Sequence, residues 1–214
     1  MTNCGDWEPT SRLFANKFAA LLKTRAQKPC LNKNLAEAII TLQLTEFVSA
    51  PVTVFMSPDI RQQICEILRQ SGIAFREVEH QPTLTSEESA RARGEPLGVG
   101  AKAIVARTDD LFRLFVLPAD QKLVSAAIKK TLNIKKIRFA TPEELLDLTG
   151  LVPGSVPPFG HPILPLELFA DESVGQHYDK IAFNAGSLTN SIIMSATDWK
   201  KIAKPRQFTF AKRS

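Results

Sequence analysis

The chain has 214 residues, of which 44% are hydrophobic and 23% are charged, and its formal net charge is +5. This composition is ordinary for a globular protein, and no apolar run approaches the roughly 20 residues that a membrane helix needs, so we expect no membrane partner. The N-terminus lacks the basic start and apolar stretch of a secretory signal. Three distant cysteines fit neither a disulfide framework nor a zinc site, which favours a cytoplasmic protein.

The positive charge is concentrated in three stretches without any acidic residue. Residues 9–36, 121–138 and 199–214 together contain 18 of the 27 lysines and arginines. Such blocks attract polyanions, and nucleic acid above all, although solvated helix faces have the same composition.

Residues 1–57 are predicted to form an N-terminal helical extension. Apolar residues recur at helical spacing over 10–25 and 34–44, and a strand over 52–56 is weakened by Pro51. The apolar faces of these helices need a neighbour to cover them, so the extension is a candidate docking element.

Residues 58–214 are predicted to form a mixed α/β domain. Ser57 and Pro58 start a helix that Gly72 ends, a capping box joins Thr85 to Glu88, and Asp120 caps a further helix to about residue 132. Asp109 and Asp110 form a hairpin turn between two strands. The remaining predicted elements are strands at 74–79, 101–106, 111–117, 166–169, 180–183 and 191–195, a helix from Thr141 to Gly150, and a last helix from Thr197.

The loop from Gly150 to Gly160 contains three glycines and three prolines in eleven residues, which excludes a helix or a central strand. Its apolar residues predict that it packs onto the core. A rigid connection between two elements is one interpretation, and a loop that brings backbone amides close to a ligand is the other.

Lys102 is the one charged residue of the strand 101–106. It could be an edge-strand lysine that reaches to water. Alternatively, it is a point charge held on a rigid sheet beside a pocket, where it would bind a phosphate or a developing oxyanion.

Several common catalytic motifs are missing. The sequence has no phosphate-binding loop, no dinucleotide fingerprint and no Gly-x-Ser-x-Gly elbow. The three histidines, His80, His161 and His177, have no nearby cysteine or histidine partner. We therefore expect no metal and no cofactor, and we find no obvious protein nucleophile.

The order of four features resembles a known family. These features are His80 followed by Thr85, the strand lysine Lys102, the loop Gly154-Ser155-Val156-Pro157-Pro158-Phe159-Gly160, and Ala185-Gly186-Ser187 before a strand and a helix. Together they resemble the YbaK/ProX-type aminoacyl-tRNA deacylases, which are freestanding relatives of the editing domain inserted in bacterial prolyl-tRNA synthetases. The resemblance covers about residues 58–205.

The resemblance implies a curved, mostly antiparallel sheet flanked by helices, and hydrolysis in trans of the ester that joins a wrong amino acid to tRNA. It implies no metal or protein nucleophile, because a substrate hydroxyl or thiol assists. By this resemblance Lys102 contacts the terminal nucleotide and is catalytic together with Gly154, Ser155 and Pro158. The implied substrate-binding residues are His80, Thr85, Val156, Pro157, Phe159, Gly160, Gly186 and Ser187.

Two positions depart from the prolyl-editing branch, namely Pro157 and the sequence His161-Pro162-Ile163-Leu164-Pro165 after the loop. These departures bear on the amino-acid specificity. We expect pocket size to set it, with small amino acids such as Ala, Ser or Cys as substrates and the aminoacylated 3′ end of tRNA as partner. The alternative function is a non-catalytic module of the same fold that binds aminoacyl-tRNA or a synthetase. The extension over residues 1–57 would then bind a synthetase or a synthetase complex.

Overall fold

The structure is a computed structural model, and it describes residues 59–213. The predicted extension and its boundary at residues 57 and 58 therefore lie outside the described residues. Between residues 59 and 213, no helix is both long and apolar enough to cross a bilayer.

The described residues contain five α-helices, ten strands and one short 3₁₀ turn at Leu97–Val99. The helices are α1 (Ile60–Gln70), α2 (Ser86–Arg93), α3 (Ser125–Leu132), α4 (Pro142–Thr149) and α5 (Ala196–Ala203). The strands are β1 (Phe75–Glu79), β2 (Ala101–Thr108), β3 (Leu111–Pro118), β4 (Gln121–Leu123), β5 (Ile137–Phe139), β6 (Glu167–Ala170), β7 (Lys180–Asn184), β8 (Asn190–Ser195), β9 (Arg206–Gln207) and β10 (Ala211–Arg213).

The strands form three sheets. A five-stranded sheet has the order β5-β2-β3-β6-β9, a three-stranded sheet has the order β1-β8-β7, and β4 pairs with β10. Pairing is antiparallel except for β3 with β6 and β6 with β9. A bridge between Gly100 and Ala182 joins the start of β2 to β7. The predicted mixed α/β class with a mostly antiparallel sheet and flanking helices is confirmed.

Local sequence signals set the ends of two helices as predicted. Thr85 accepts a hydrogen bond from the Glu88 amide while the Glu88 side chain accepts from the Thr85 amide, so the capping box is present. Thr141 and Glu144 form the same box at the start of α4. Gly150 ends α4 at a φ of +72°, a conformation that glycine adopts without strain.

One predicted helix start is wrong. Asp120 does not cap a helix, because residues 121–123 form β4 against β10 and α3 begins only at Ser125. The pairing with a strand almost 90 residues away overrides the local helical pattern. The first helix begins at Ile60, after Asp59 accepts a hydrogen bond from the Arg61 amide. The start predicted at Ser57 and Pro58 lies outside the described residues.

A buried carboxylate holds the C-terminal strand in place. Asp171 is 1% exposed, and its Oδ2 accepts hydrogen bonds from the amides of Phe210 at 2.6 Å and Ala211 at 2.7 Å. Its Oδ1 accepts from the amide and the hydroxyl of Ser173. These bonds fix β10, which pairs with β4, and β4 carries the Gln121 carbonyl that Lys102 contacts. Asp171 thereby connects the C-terminus to the neighbourhood of Lys102.

We predict that Asp171→Ala lowers the free energy of unfolding by about 2–4 kcal/mol, because buried amides lose charge-assisted hydrogen bonds. Urea denaturation followed by circular dichroism measures this change. The control is Asp110→Ala, which removes an exposed carboxylate and should change stability by less than about 0.5 kcal/mol. Equal stability of the two variants would contradict the assigned role of Asp171.

Candidate functional site

A cavity of about 210 Å³ lies where the start of β2 meets the end of β7. On the side away from β3, the strand β5 pairs with residues 106–108 alone, so the first half of β2 has no strand partner there among the described residues. The lining residues come from five places in the chain: the segment before and within α2, the first half of β2 with the residue before it, the turn after β3, the Gly/Pro loop and the end of β7. They are Thr83, Leu84, Thr85, Ser86, Ser89, Arg93, Gly100, Ala101, Lys102, Ala103, Ile104, Ala119, Gly154, Val156 and Asn184.

Lys102 lies in this cavity, as the functional interpretation of the sequence requires. Its side chain is half-buried, and Nζ donates a hydrogen bond to the Gln121 carbonyl at 2.7 Å. Burial lowers the pKa of Lys102, while the charges of Glu87 and Asp120 oppose this shift. The ammonium group is thus held on a sheet, with only partial compensation of its charge by neighbouring acids.

Part of the predicted loop borders the cavity, and hydrogen bonds from β7 and the turn after it hold the loop in place. Gly154 and Val156 are lining residues. The Gly154 carbonyl accepts a hydrogen bond from Asn184 Nδ2 at 2.8 Å, and the Ser155 carbonyl accepts from the Gly186 amide at 3.0 Å. The end of β7 and the turn after it therefore set the position of the loop.

The Ser155 side chain lies outside the cavity lining. It is 1% exposed, its hydroxyl donates to the Val152 carbonyl at 2.8 Å, and the same oxygen accepts from the Val152 amide. In this structure Ser155 closes a turn within the loop, so it would act on the site through the loop's shape.

The second half of the loop enters the core. The Pro158 carbonyl accepts a hydrogen bond from the Trp199 indole at 2.9 Å, and Phe159 packs edge-on against Phe183. A Cβ added to Gly160 would lie 2.6 Å from the Leu166 carbonyl oxygen, so only glycine fits this close approach. Pro157 is buried, and its carbonyl accepts from the Phe159 amide. None of these four residues lines the cavity.

One of the other predicted binding residues lines the cavity, and the rest do not. Thr85 lines the cavity and caps α2. His80 is not a lining residue, but its Nε2 lies 2.7 Å from the Ser191 hydroxyl. Gly186 holds the loop through its amide, and the Ser187 hydroxyl contacts Thr189. Of the twelve residues that the sequence singled out, Lys102, Gly154, Val156 and Thr85 therefore meet at the cavity.

Sequence reasoning missed the most buried charge of the site. Arg93, at the end of α2, is 7% exposed, and burial lowers the pKa of its guanidinium to about 10. Among the described residues, no carboxylate pairs with it. Its hydrogen-bond acceptors are Ser191 Oγ at 2.9 Å, Asn184 Oδ1 at 2.7 Å and the Ala182 carbonyl at 3.4 Å.

A second missed feature is a pair of buried hydroxyls. Thr83 Oγ1 and Ser89 Oγ are 2.8 Å apart, and both residues line the cavity. Asn184 was also missed, although a polar residue that ends an apolar strand directly before Ala185-Gly186-Ser187 is a usable signal. Arg93 gave no such signal, because it follows exposed charged residues on the same short helix.

Comparison with known proteins identifies relatives along most of the chain. The chain is 34% identical over 172 residues to the multifunctional Ser/Thr-tRNA deacylase ProXp-y of Escherichia coli (strain K12), and the match covers 78% of this chain and 98% of that protein. It is also 32% identical over 101 residues to the proline–tRNA ligase of Shouchella clausii (strain KSM-K16), a match that covers 47% of this chain and 17% of the ligase.

A solved structure shares the fold. A crystal structure described as a candidate trans-editing enzyme for prolyl-tRNA synthetase superposes with a TM-score of 0.63 at 24% identity, covering 73% of this chain and 99% of that one. The model of the aminoacyl-tRNA editing domain family matches residues 80–202, which include the cavity. The chain therefore belongs to the aminoacyl-tRNA editing domain family, which confirms the resemblance found in the sequence.

Proposed function

We propose that this protein hydrolyses, in trans, the ester bond between a small amino acid and the 3′ end of tRNA. Water adds to the ester carbonyl, and the products are the free amino acid and a tRNA with its 3′ hydroxyl restored. The enzyme class that the sequence predicted, a hydrolase of the aminoacyl-tRNA ester, is confirmed by the family and by the E. coli relative. Serine is common to the predicted substrates and to the substrates in that relative's name, so serine is our first choice of amino acid.

The observation that carries the proposal is the presence of Lys102 and Gly154 in one small cavity. Lys102 is a fixed cation on β2, where we assign it to the terminal phosphate of the tRNA. The Gly154–Val156 part of the loop would lie beside the ester, because Asn184 and Gly186 hold its backbone in place. Such preorganised groups stabilise developing charge without reorganisation during the reaction.

The surface charge supports a polyanionic partner. Within the acid-free basic stretch 121–138, the exposed lysines include Lys129, Lys130, Lys135 and Lys136. Contacts of such lysines with the tRNA backbone would add affinity that falls as salt rises. We also propose, from the sequence alone, that residues 1–57 bind a synthetase or a synthetase complex.

We predict that Lys102→Ala reduces the rate of deacylation by at least about 100-fold, because the fixed positive charge at the substrate is lost. The assay follows release of amino acid from one tRNA charged separately with Ala, Ser, Cys or Pro. The matched control is Lys180→Ala, which removes an exposed lysine outside the cavity and should change the rate by less than about threefold.

Two results would contradict this prediction. Wild-type activity in Lys102→Ala would remove Lys102 from the mechanism. A wild-type protein that binds charged tRNA but releases nothing would instead favour the non-catalytic module. Thermal denaturation of both variants shows whether a loss of activity comes from a loss of folding.

We also predict a pH dependence of tRNA binding that originates at Lys102. Burial lowers the pKa of this lysine, so its ammonium loses a proton at a lower pH than an exposed lysine does. The attraction to phosphate is therefore present below this lowered pKa and is lost as pH rises through it. The measurement is the affinity for uncharged tRNA at constant salt, from neutral to alkaline pH, for wild type and Lys102→Ala.

The difference in affinity between the two proteins should shrink before the exposed lysines titrate. Uncharged tRNA is suitable because it has no base-labile ester. A difference that stays constant until the exposed lysines lose their protons would rule out the assignment of Lys102 to the phosphate.

A further inference from the structure

Arg93 is a buried cation whose charge no acidic side chain balances within residues 59–213. Its guanidinium is bonded to neutral acceptors on the three-stranded sheet: Ser191 and Asn184 side chains and the Ala182 carbonyl. Burial of a charged group is unfavourable unless its hydrogen-bonding groups are satisfied. The N–H groups of Arg93 that these acceptors leave unused are therefore candidates for binding a ligand.

Arg93 has more hydrogen-bond donors than the acceptors among the described residues use. A guanidinium carries five N–H groups. Nε donates to Ser191, Nη2 to Asn184 and Nη1 to Ala182, so one N–H on each terminal nitrogen has no acceptor among the described residues. Arg93 lines the cavity, and a Cβ built on Gly100, another lining residue, would lie 3.7 Å from Nη1. Nη1 thus lies beside the cavity lining.

The hydroxyl pair of Thr83 and Ser89 adds complementary capacity to the same cavity. The two hydroxyls carry two hydrogens, and one of these forms the hydrogen bond between them, with the oxygens 2.8 Å apart. The second hydrogen and the remaining lone pairs have no other partner in the described part of the chain. The apolar part of the lining consists of Leu84, Ala101, Ala103, Ile104, Ala119 and Val156.

We infer that Arg93 determines the specificity of the site for amino acids whose side chain carries a hydroxyl. The inference rests on the proposed function. The side-chain hydroxyl of the seryl or threonyl group accepts a hydrogen bond from an N–H of Arg93. The same hydroxyl donates its own hydrogen to the Thr83–Ser89 pair. An alanyl group offers neither bond and leaves a buried donor unpaired. Sites built to bond a hydroxyl discriminate strongly against the analogue that lacks it.

The test compares full-length wild type, Arg93→Met and Arg91→Met on one tRNA charged separately with serine, threonine or alanine. Arg91 is exposed on the same helix and is the matched control. Arg93→Met should lower kcat/KM for the seryl and threonyl substrates by about 10- to 100-fold, the factor of a hydrogen bond to a charged donor. Because Arg93 also holds the site together, the deciding quantity is the ratio of kcat/KM for the seryl substrate to that for the alanyl substrate. This ratio should fall by a similar factor in Arg93→Met, and Arg91→Met should keep the wild-type ratio.

A parallel fall for all three substrates in a folded Arg93→Met protein would overturn the inference, since it would mean a role in structure or in tRNA binding. Thr83→Val offers a second variant, which should lower the preference for serine over alanine without removing Arg93. The wild-type protein gives a test that needs no variant, because equal rates for seryl- and alanyl-tRNA would also overturn the inference. No release from any charged tRNA would instead refute the proposed function, and this inference with it.

Discussion

The burial of the Arg93 guanidinium is the constraint on which the candidate site depends. An unpaired buried cation is tolerated only where fixed acceptors surround it, and β7 and β8 supply them through Ala182, Asn184 and Ser191. These bonds attach the end of α2 to the three-stranded sheet. The bridge between Gly100 and Ala182 brings the start of β2 to the same place. The cavity is the space that remains between these elements.

Asn184 transmits this arrangement to the loop. Its Oδ1 accepts from Arg93 and Ser191, while its Nδ2 donates to the Gly154 carbonyl. The same side chain therefore fixes the buried cation on one side and the loop on the other. Because the far end of the loop is held by Trp199 and packed on Phe183, the loop cannot shift without disturbing the core. The Gly/Pro loop acts as a rigid wall of the site, and its apolar residues are the reason.

The two cations of the cavity have different environments, which suits different tasks. Lys102 is half-buried, and the charges of Glu87 and Asp120 moderate the effect of burial on its pKa. A compact ammonium of this kind suits a phosphate, which needs charge more than direction. Arg93 is nearly inaccessible and its planar fork is held by three bonds, so its remaining N–H groups have fixed directions. A directional donor suits the recognition of a small polar group.

Features that depend on neighbours along the chain can be predicted from the amino-acid order. The capping boxes at Thr85 and Thr141 and the left-handed end at Gly150 follow from residues within one helical turn, and the strand that carries Lys102 follows from its composition. The order of Lys102 and the Gly/Pro loop also sufficed to indicate the family. These signals are local or linear, so no knowledge of packing was needed.

The set of residues that share the cavity depends on how distant segments pack. Residues 121–123 became a strand because β10 pairs with them, a contact that local propensity does not encode. Arg93 and Arg91 are equivalent in sequence, yet one is buried against β7 and β8 and the other faces solvent. The side chains of Ser155, Pro158 and Phe159 do not line the cavity. Ser155 is bonded within the loop, and the loop buries its apolar side in the core. Burial depends on where distant segments pack, and that information lies in no single stretch of the chain.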